Sequence, residues 1–533
     1  MKIAKDYSNV PTIYYKPEIM NCPECESKLK RSHRVWNKYI IQLSGTIYAV
    51  SMGYKCPDGD CPMDLVYKSA AAESLSLKYH SFGTDVIAAI GKMRFSENKT
   101  LGEIHSQLLN KVSISERAVH YLIETYLLLI TGLKQDKSYL DSFVSPEGII
   151  LSIDGIQPEK GNEVLYILRD VLSGEVLRSE NLLSSDVESI KGMLQSVIDL
   201  GYPILGVISD GQDTIRKSVT KLLPGVPYQL CHYHYLDNVG KGLEEQDRKL
   251  KTKLKKEIRG TSKSGISKVE RSIQEHETGI EKDVLKDFSI AIRTVLLESS
   301  VYPFNCGGIK VYNQLIDIES AIKSCQKVRN HPLLIRMRKM VSGYKLYKSE
   351  YERVSVLFTI TKRIAELIDP DSFPDDRIEK RRRRLIGYMG YVASLKADYP
   401  ELSVHLEQVL KATRSFLPGL FTYLECPLLP VTNNDLEIFH RRMKTEHRRR
   451  TGRKSSHDYV IRYGRFAVYQ MGRDCADKIT TLAYPKLKAL KQQLMAVRSK
   501  YSKMYQVRHK PSEFFTRLID RWCAENPNST APT

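Results

Sequence analysis

The sequence predicts an α/β core that is interrupted by a long all-helical insertion and preceded by two small modules. Three observations predict it. Strand-like apolar runs end twice in Asp-Gly, at Asp154 and at Asp210. Between about 236 and 430 no period-two alternation appears, and the chain reads as nearly all helix. Four of the ten cysteines crowd into the first 61 residues. At 533 residues the chain exceeds one ordinary hydrophobic core and reads as several domains.

The cysteines come first in the chain. Cys22-Pro-Glu-Cys25 and Cys56-Pro-Asp-Gly-Asp-Cys61 are two short knuckles about thirty residues apart, the spacing of a four-thiolate zinc ribbon. The β-branched and aromatic run YIIQLSGTIYAVSMGYK between them supplies the strands. Residues 1–75 are therefore expected to be a zinc ribbon, with Cys22, Cys25, Cys56 and Cys61 holding one structural Zn²⁺. Such a closed coordination sphere docks and does no chemistry.

Residues 83–130 read as three helices, GTDVIAAIGKMRF, KTLGEIHSQLLNK and SERAVHYLIETYLLLI, with Ser115 as N-cap of the third. The layout over 76–140 suits a helix-turn-helix and equally an ordinary helical linker. In a groove-binding helix, Arg117 and His120 would be the exposed reading residues.

From residue 147 the pattern changes. GIILSID (148–154), VLYILRD (164–170) and EVLRSE (175–180) read as strands, the last two joined at Ser173-Gly174. The helix SDVESIKGMLQSVIDL follows, capped by Ser184 or Ser185 and ended by Gly201. Then come the strand ILGVIS (204–209), the helix DTIRKSVTKLL and the strand VPYQLC. Three strands, helix, strand, helix, strand is the order of an RNase H-like core, a mixed sheet flanked by helices. Its first part is expected over 145–235 and its second over 431–480. The helical insertion (236–430) carries charged stretches such as RKLKTKLKKEIR and EKRRRRL. Residues 481–533 are expected to form a C-terminal helix and a disordered tail, NPNSTAPT.

One Asp after a strand is ordinarily a turn residue, but two Asp-Gly sites in this strand order are harder to dismiss. Carboxylates at one sheet edge can share divalent ions about 3.5–4 Å apart. Mg²⁺ takes oxygen ligands, few carboxylates and substrate phosphates. After Val431-Thr432-Asn433-Asn434-Asp435 opens a final long helix, a third carboxylate is expected from Glu437, one turn past the Thr432-Asn433-Asn434 cap. Asp435 competes for the role but lies nearer the cap, where backbone N–H groups should occupy it. Arg441, Lys444 and Arg448 follow Glu437 at spacings of four, three and four. With Arg449 and Arg450 they form a track of phosphate binders, or else a solvated basic helix. Cys231 and His234, three apart after the fifth strand, can ligate zinc or stabilise the turn into the insertion.

The pieces SIDG, VISDG with QLCHYHYLDNVGK, and VTNNDLEIFHRRMKTEHRRRTG resemble DDE transposases over about 148–465. The resemblance is nearest to the Mutator-like branch and related bacterial insertion-sequence transposases. It implies that Asp154, Asp210 and Glu437 form a catalytic triad holding two Mg²⁺ (or Mn²⁺) ions, with Cys231 and His234 as an accompanying pair. It implies cleavage and strand transfer at the ends of a mobile element, on double-stranded DNA that includes terminal inverted repeats and target. A homodimer or higher homo-oligomer on that DNA is expected. Related enzymes often carry a Trp in the insertion that stacks on a flipped base. Here the only tryptophans are Trp36 and Trp522, so either a tyrosine such as Tyr344 or Tyr347 substitutes or no base is flipped. The alternatives are an RNase H-like nuclease or resolvase and a domesticated, non-catalytic DNA-binding regulator.

Composition agrees with a nucleic-acid partner. Lys and Arg number 82 against 62 Asp and Glu, a net charge of +20. A solvated basic surface or an anionic membrane surface is the other source of such an excess. No apolar run approaches the about 20 residues of a membrane span, and MKIAKDYSNVPTIYY lacks the apolar core of a signal peptide. A cytoplasmic, nucleoid-associated protein of a prokaryotic host is expected, its cysteines reduced.

Overall fold

The computed structural model describes residues 9–62, 64–158, 161–260, 265–475, 478–479 and 485–525. It is a mixed α/β protein whose chain divides into two compact units. The first is Met1–Ile204, Lys217–Pro224 and Asp435–Thr533; the second is Leu205–Arg216 and Gly225–Asn434.

The first unit opens with β1 (Thr12–Tyr15), β2 (Lys30–Gln42) and β3 (Gly45–Lys55), in the order β1-β3-β2. β2 and β3 form a hairpin around Leu43-Ser44 with Gln42 opposite Gly45. Gly45 sits at φ 129°, where a side chain would strain the backbone. Helices α1 (Ala70–Ser74), α2 (Thr84–Phe95), α3 (Leu101–Leu109), α4 (Glu116–Lys134) and α5 (Lys137–Leu140) follow. Ser115 caps α4 as the sequence predicts, its hydroxyl accepting the Ala118 N–H at 3.2 Å. Thr100 and Glu103 add a reciprocal capping box to α3.

Next, β4 (Ile149–Ile156), β5 (Val164–Asp170) and β6 (Val176–Leu182) pair antiparallel. α6 (Val187–Ile198) starts at Asp186, not at Ser184 or Ser185: the Asp186 carboxylate accepts the Ser189 N–H at 2.8 Å. An ionised acceptor at a helix N-terminus is stronger than a hydroxyl. After α6 come β7 (Ile204–Ser209), α7 (Asp213–Leu222) and β8 (Tyr228–Leu230), with β7 and β8 parallel. The five-stranded sheet runs β6-β5-β4-β7-β8.

The second unit holds α8 (His232–Arg259), α9 (Ile266–His276), α10 (Gly279–Leu297), α11 (Gly307–Val328), α12 (Pro332–Val341), α13 (Lys348–Ile368), α14 (Ile378–Asp398) and α15 (Ser403–Phe416). α8 is its axis, burying Val239, Leu243, Leu250, Leu254 and Ile258 at helical spacing. Asp247 interrupts that stripe fully buried, accepting from the Tyr302 hydroxyl at 2.8 Å and the Ile309 N–H at 3.0 Å. Within EKRRRRL, Arg381 is fully buried as well. Its guanidinium donates to the carbonyls of Asp369, Pro370 and Phe373, so this charge run is partly structural.

The chain ends in α16 (Asn434–Thr451), α17 (His457–Gln470), α18 (Pro485–His509) and α19 (Pro511–Glu525). The helix of Glu437 is thus not the last: three more follow, two of them where one C-terminal helix is expected. NPNSTAPT lies outside the described residues. Leu122–Thr131 of α4 are buried without a break, and α2, α17 and α18 pack on that helix. Among the described residues no helix is long and apolar enough to cross a membrane.

Candidate functional site

In the first unit, β4 is buried from Ile149 to Asp154, and Asp154 is 5% exposed. One carboxylate oxygen accepts the Gly155 N–H at 2.8 Å, and the other stands 3.5 Å from His440 Nδ1. A Cβ at position 155 would lie 2.9 Å from the Tyr166 ring and 3.0 Å from Val164 Cγ1, so a larger residue would force those side chains to shift. α16 supplies His440 through its buried stripe, Leu436, Phe439, His440, Met443, Glu446, His447 and Arg450, at three- and four-residue spacing. Glu437 stands half-buried beside that stripe, and Arg441, Lys444, Arg448 and Arg449 are exposed.

Arg450 departs from the expected surface track. It is 3% exposed, with its guanidinium 4.9 Å over the Phe95 ring, because its position falls on the inward stripe of α16. Asp435 departs too: it pairs with Arg169 of β5 and not with backbone at the cap. Arg169 also donates to the Gly174 carbonyl at 2.7 Å and lies 5.5 Å over the Phe439 ring, fastening the first turns of α16 to β5.

His440 and Arg169 are the residues that sequence reading missed. Glu437 and His440 stand three apart on one helix, a spacing that makes them neighbours on its surface and could have flagged the histidine. Burial, with the Lys444 charge behind it, holds His440 down to about 3, so a neutral imidazole faces Asp154. Arg169 carries no such signal, since its partner lies 266 residues away.

The second unit holds Asp210, half-buried directly after β7, with one oxygen accepting the Gln212 N–H at 2.9 Å. Gly211 sits at φ 81°, and a Cβ there would lie 2.9 Å from the Phe416 ring. Beside it the Ser209 and Tyr228 hydroxyls are 2.5 Å apart. Burial, then the Asp210 charge, pushes the Tyr228 phenol up against the lowering pull of Ser209.

Cys231 is buried and works through sulfur and backbone. Its N–H donates to the Ser209 carbonyl at 2.9 Å, and its Sγ accepts the Asn433 N–H at 3.2 Å. The His232 N–H reaches the Val431 carbonyl at 2.9 Å. The segment entering α16 is thereby laced to the end of β8. The buried histidine next to Cys231 is His232, whose Nε2 donates to the Leu420 carbonyl at 2.7 Å; His234 is half-buried. Among the described residues, Cys231 and His234 belong to no group of three or more metal-ligating side chains.

Two such groups are found among the described residues. Cys22, Cys25, Cys56 and Cys61 have all four thiols within 4.8 Å of one another, with Cys22 and Cys61 sulfurs 3.8 Å apart and Cys25 and Cys56 sulfurs 3.4 Å apart. Tetrahedral zinc with bonds of about 2.3 Å needs sulfurs about 3.8 Å apart. The backbone N–H groups of Cys25 and Glu24 draw the Cys22 thiol down to about 6, whereas Cys56, against the pull of the Asp58 N–H, is pushed up by burial and the neighbouring thiols. This cluster can be a zinc ribbon. In the second unit Glu277, Glu281 and His331 can also hold a cation, with His331 Nε2 3.3 Å from Glu277. Neither group contains Asp154, Asp210 or Glu437.

The other expected residues are placed as follows. Arg117 and His120 are exposed in the first turns of α4, His120 4.0 Å from buried Glu124. Tyr344 is buried with its hydroxyl on Glu319 at 2.8 Å and its ring edge-on to Tyr312, so no face is left for a base. The Tyr347 hydroxyl is held by Glu257 at 2.8 Å.

No known family and no curated protein matches this chain. Among solved structures, the Drosophila P element transposase strand transfer complex is similar with a TM-score of 0.32 and 11% identity, over 76% of this chain and 94% of that one. A likeness that slight does not establish a shared fold.

Proposed function

We propose that this chain is a DDE-type DNA transposase with an RNase H-like core, and that Asp154, Asp210 and Glu437 are its catalytic carboxylates. The observation that carries the reading is the contact that α16 makes with the end of β4. His440 meets Asp154 at 3.5 Å, and Glu437 stands one turn earlier on the same helix. The sheet order β6-β5-β4-β7-β8, with its first three strands antiparallel, supports the core assignment.

Carboxylate oxygens are the hard donors that Mg²⁺ or Mn²⁺ takes, and one or two with phosphates and water suffice to bind it. Two such ions would activate the attacking hydroxyl and stabilise the leaving oxygen. The chain's own contribution is position. Gly155 and Gly211 let the backbone approach its neighbours, the neutral His440 orients the Asp154 carboxylate, and Arg169 anchors the helix of Glu437. Exposed Arg441, Lys444, Arg448 and Arg449 would track phosphates, while Arg117 and His120 would read bases. The partner is double-stranded DNA, both element ends and target, bound by a homo-oligomer.

The test uses labelled duplexes carrying the repeats that flank the coding region. Asp154→Asn, Asp210→Asn and Glu437→Gln should each abolish cleavage and joining with Mg²⁺ present while DNA binding persists. Normal cleavage by any one variant removes that residue from the triad. Cleavage without joining by the wild type would replace transposition with a nuclease.

A further inference from the structure

A cavity of about 650 Å³ lies wholly within the first unit, between α2, α4, α16, α17 and α18, with Leu101 at the start of α3. Its volume falls in the range of small-molecule sites, about 300–1,000 Å³. Arg94, Arg450, Arg453, Lys454, Arg462 and Arg508 line it, against two acids, Glu124 and Asp458. Both acids are engaged. Glu124 accepts from Tyr463 at 2.7 Å and Arg498 at 2.8 Å, and Asp458 is hydrogen-bonded by Tyr501.

Arg450 makes this more than a basic surface. Only 3% exposed, it has neither Nη1 nor Nη2 in a hydrogen bond. Its Nε is used on the Glu446 carbonyl at 3.1 Å, and the nearest carboxylate oxygen, on Glu446, is 3.7 Å from Nη2. The other Glu446 oxygen is taken by Arg442 at 2.6 Å. The Tyr459 hydroxyl and Arg462 Nε, also in the lining, are buried without partners. Buried donors of a charged fork are costly until an acceptor meets them. A phosphate presents several oxygens and up to two charges to such a fork. Arg450 stands 4.9 Å over Phe95 and 6.0 Å over Tyr459, so apolar ring surface borders the donors.

We propose that this cavity binds a phosphate ester of nucleotide size, with the phosphate on Arg450, Arg462 and the Tyr459 hydroxyl. Such a group can come from a free nucleotide or from the end of a nucleic-acid strand. The inference does not rest on the carboxylate site.

Calorimetric titration of the full chain with AMP, adenosine, inorganic phosphate, and short single strands bearing a 5′-phosphate or a 5′-hydroxyl tests it. AMP or the phosphorylated strand should bind, with adenosine and the hydroxyl strand at least about tenfold weaker, the loss of one or two charge-assisted hydrogen bonds. A preference for the strand identifies a nucleic-acid end as the source, and equal binding of AMP identifies a free nucleotide. Arg450→Met should weaken binding by about tenfold or more. Should that variant misfold, Arg462→Met, at a half-buried position, replaces it, with thermal melting as the control. Binding should be unchanged in Asp154→Asn, which separates this site from the carboxylates. No binding of any phosphate probe by the wild type, or unaltered affinity in arginine variants that melt normally, overturns the proposal.

Discussion

Cys231, His232 and His440 sit next to the proposed chemistry, yet none is exposed, and burial determines their roles. Cys231 acts as an acceptor for the Asn433 N–H, while His232 spends its Nε2 on the Leu420 carbonyl. Burial holds His232 down to about 4 from 6.5. The sign follows. The unfolded chain takes up a proton near 6.5, while the folded chain resists it until about 4. The stability that His232 contributes is therefore complete above 6.5 and lost as pH falls toward 4. Urea unfolding between these limits should show stability declining by up to about 1.4 kcal/mol per pH unit from this group. His232→Gln keeps a donor for Leu420 but cannot titrate, and should flatten the decline. An unchanged slope in that variant would assign the acid sensitivity to other groups.

Among the elements, the thiol cluster and α16 show how differently local pattern specifies structure. The cluster's hydrophobic core is five residues, Cys22, Leu29, Val50, Met52 and Tyr54. So few side chains do not stabilise a hairpin alone, and small modules of this kind depend on metal. Metal analysis of the full chain should give about one zinc. Cys25→Ser should lose it and open residues 12–67 to protease while the cleavage proposed for Asp154 stays intact on nonspecific duplex. Retained zinc in that variant would contradict the ligand set. The spacing of these cysteines is local and was legible, as were the helical periods of α2 to α4 and the Ser115 cap. In α16 periodicity identified the helix but not its inward face. The same spacing that aligned Arg441, Lys444 and Arg448 left Arg450 among the buried residues, and only packing against Phe95 revealed it.

At the scale of the molecule, the proposed function divides exposed cations, within a net charge of +20, between base reading and phosphate tracking. Exposed Arg117 lies in the first turn of α4, whose Leu122–Thr131 stretch is buried, so its first turns are the part open to a groove. Base-reading helices commonly use their N-terminal residues. Exposed Arg448 lies on α16 toward its C-terminal end. Arg117→Ala should cost about 1–3 kcal/mol on the specific end and little on random duplex. Arg448→Ala should weaken both alike and reduce the salt slope by about one. Titration of both variants on both duplexes across a salt series decides it. A non-selective Arg117→Ala with a selective Arg448→Ala would exchange the two roles.

Strand and helix order, the four-cysteine cluster and the candidate carboxylates follow from the sequence alone, because periodicity, turn chemistry and ligand spacing are properties of near neighbours in the chain. The Arg169–Asp435 pair, the His440–Asp154 contact, the Cys231–Asn433 bond and the cationic cavity are different. Each joins segments far apart in sequence, or depends on which side of a helix packing buries, and no local pattern encodes that. Only when tertiary structure excludes water does an arginine read as a surface phosphate binder become a buried donor that needs an acceptor.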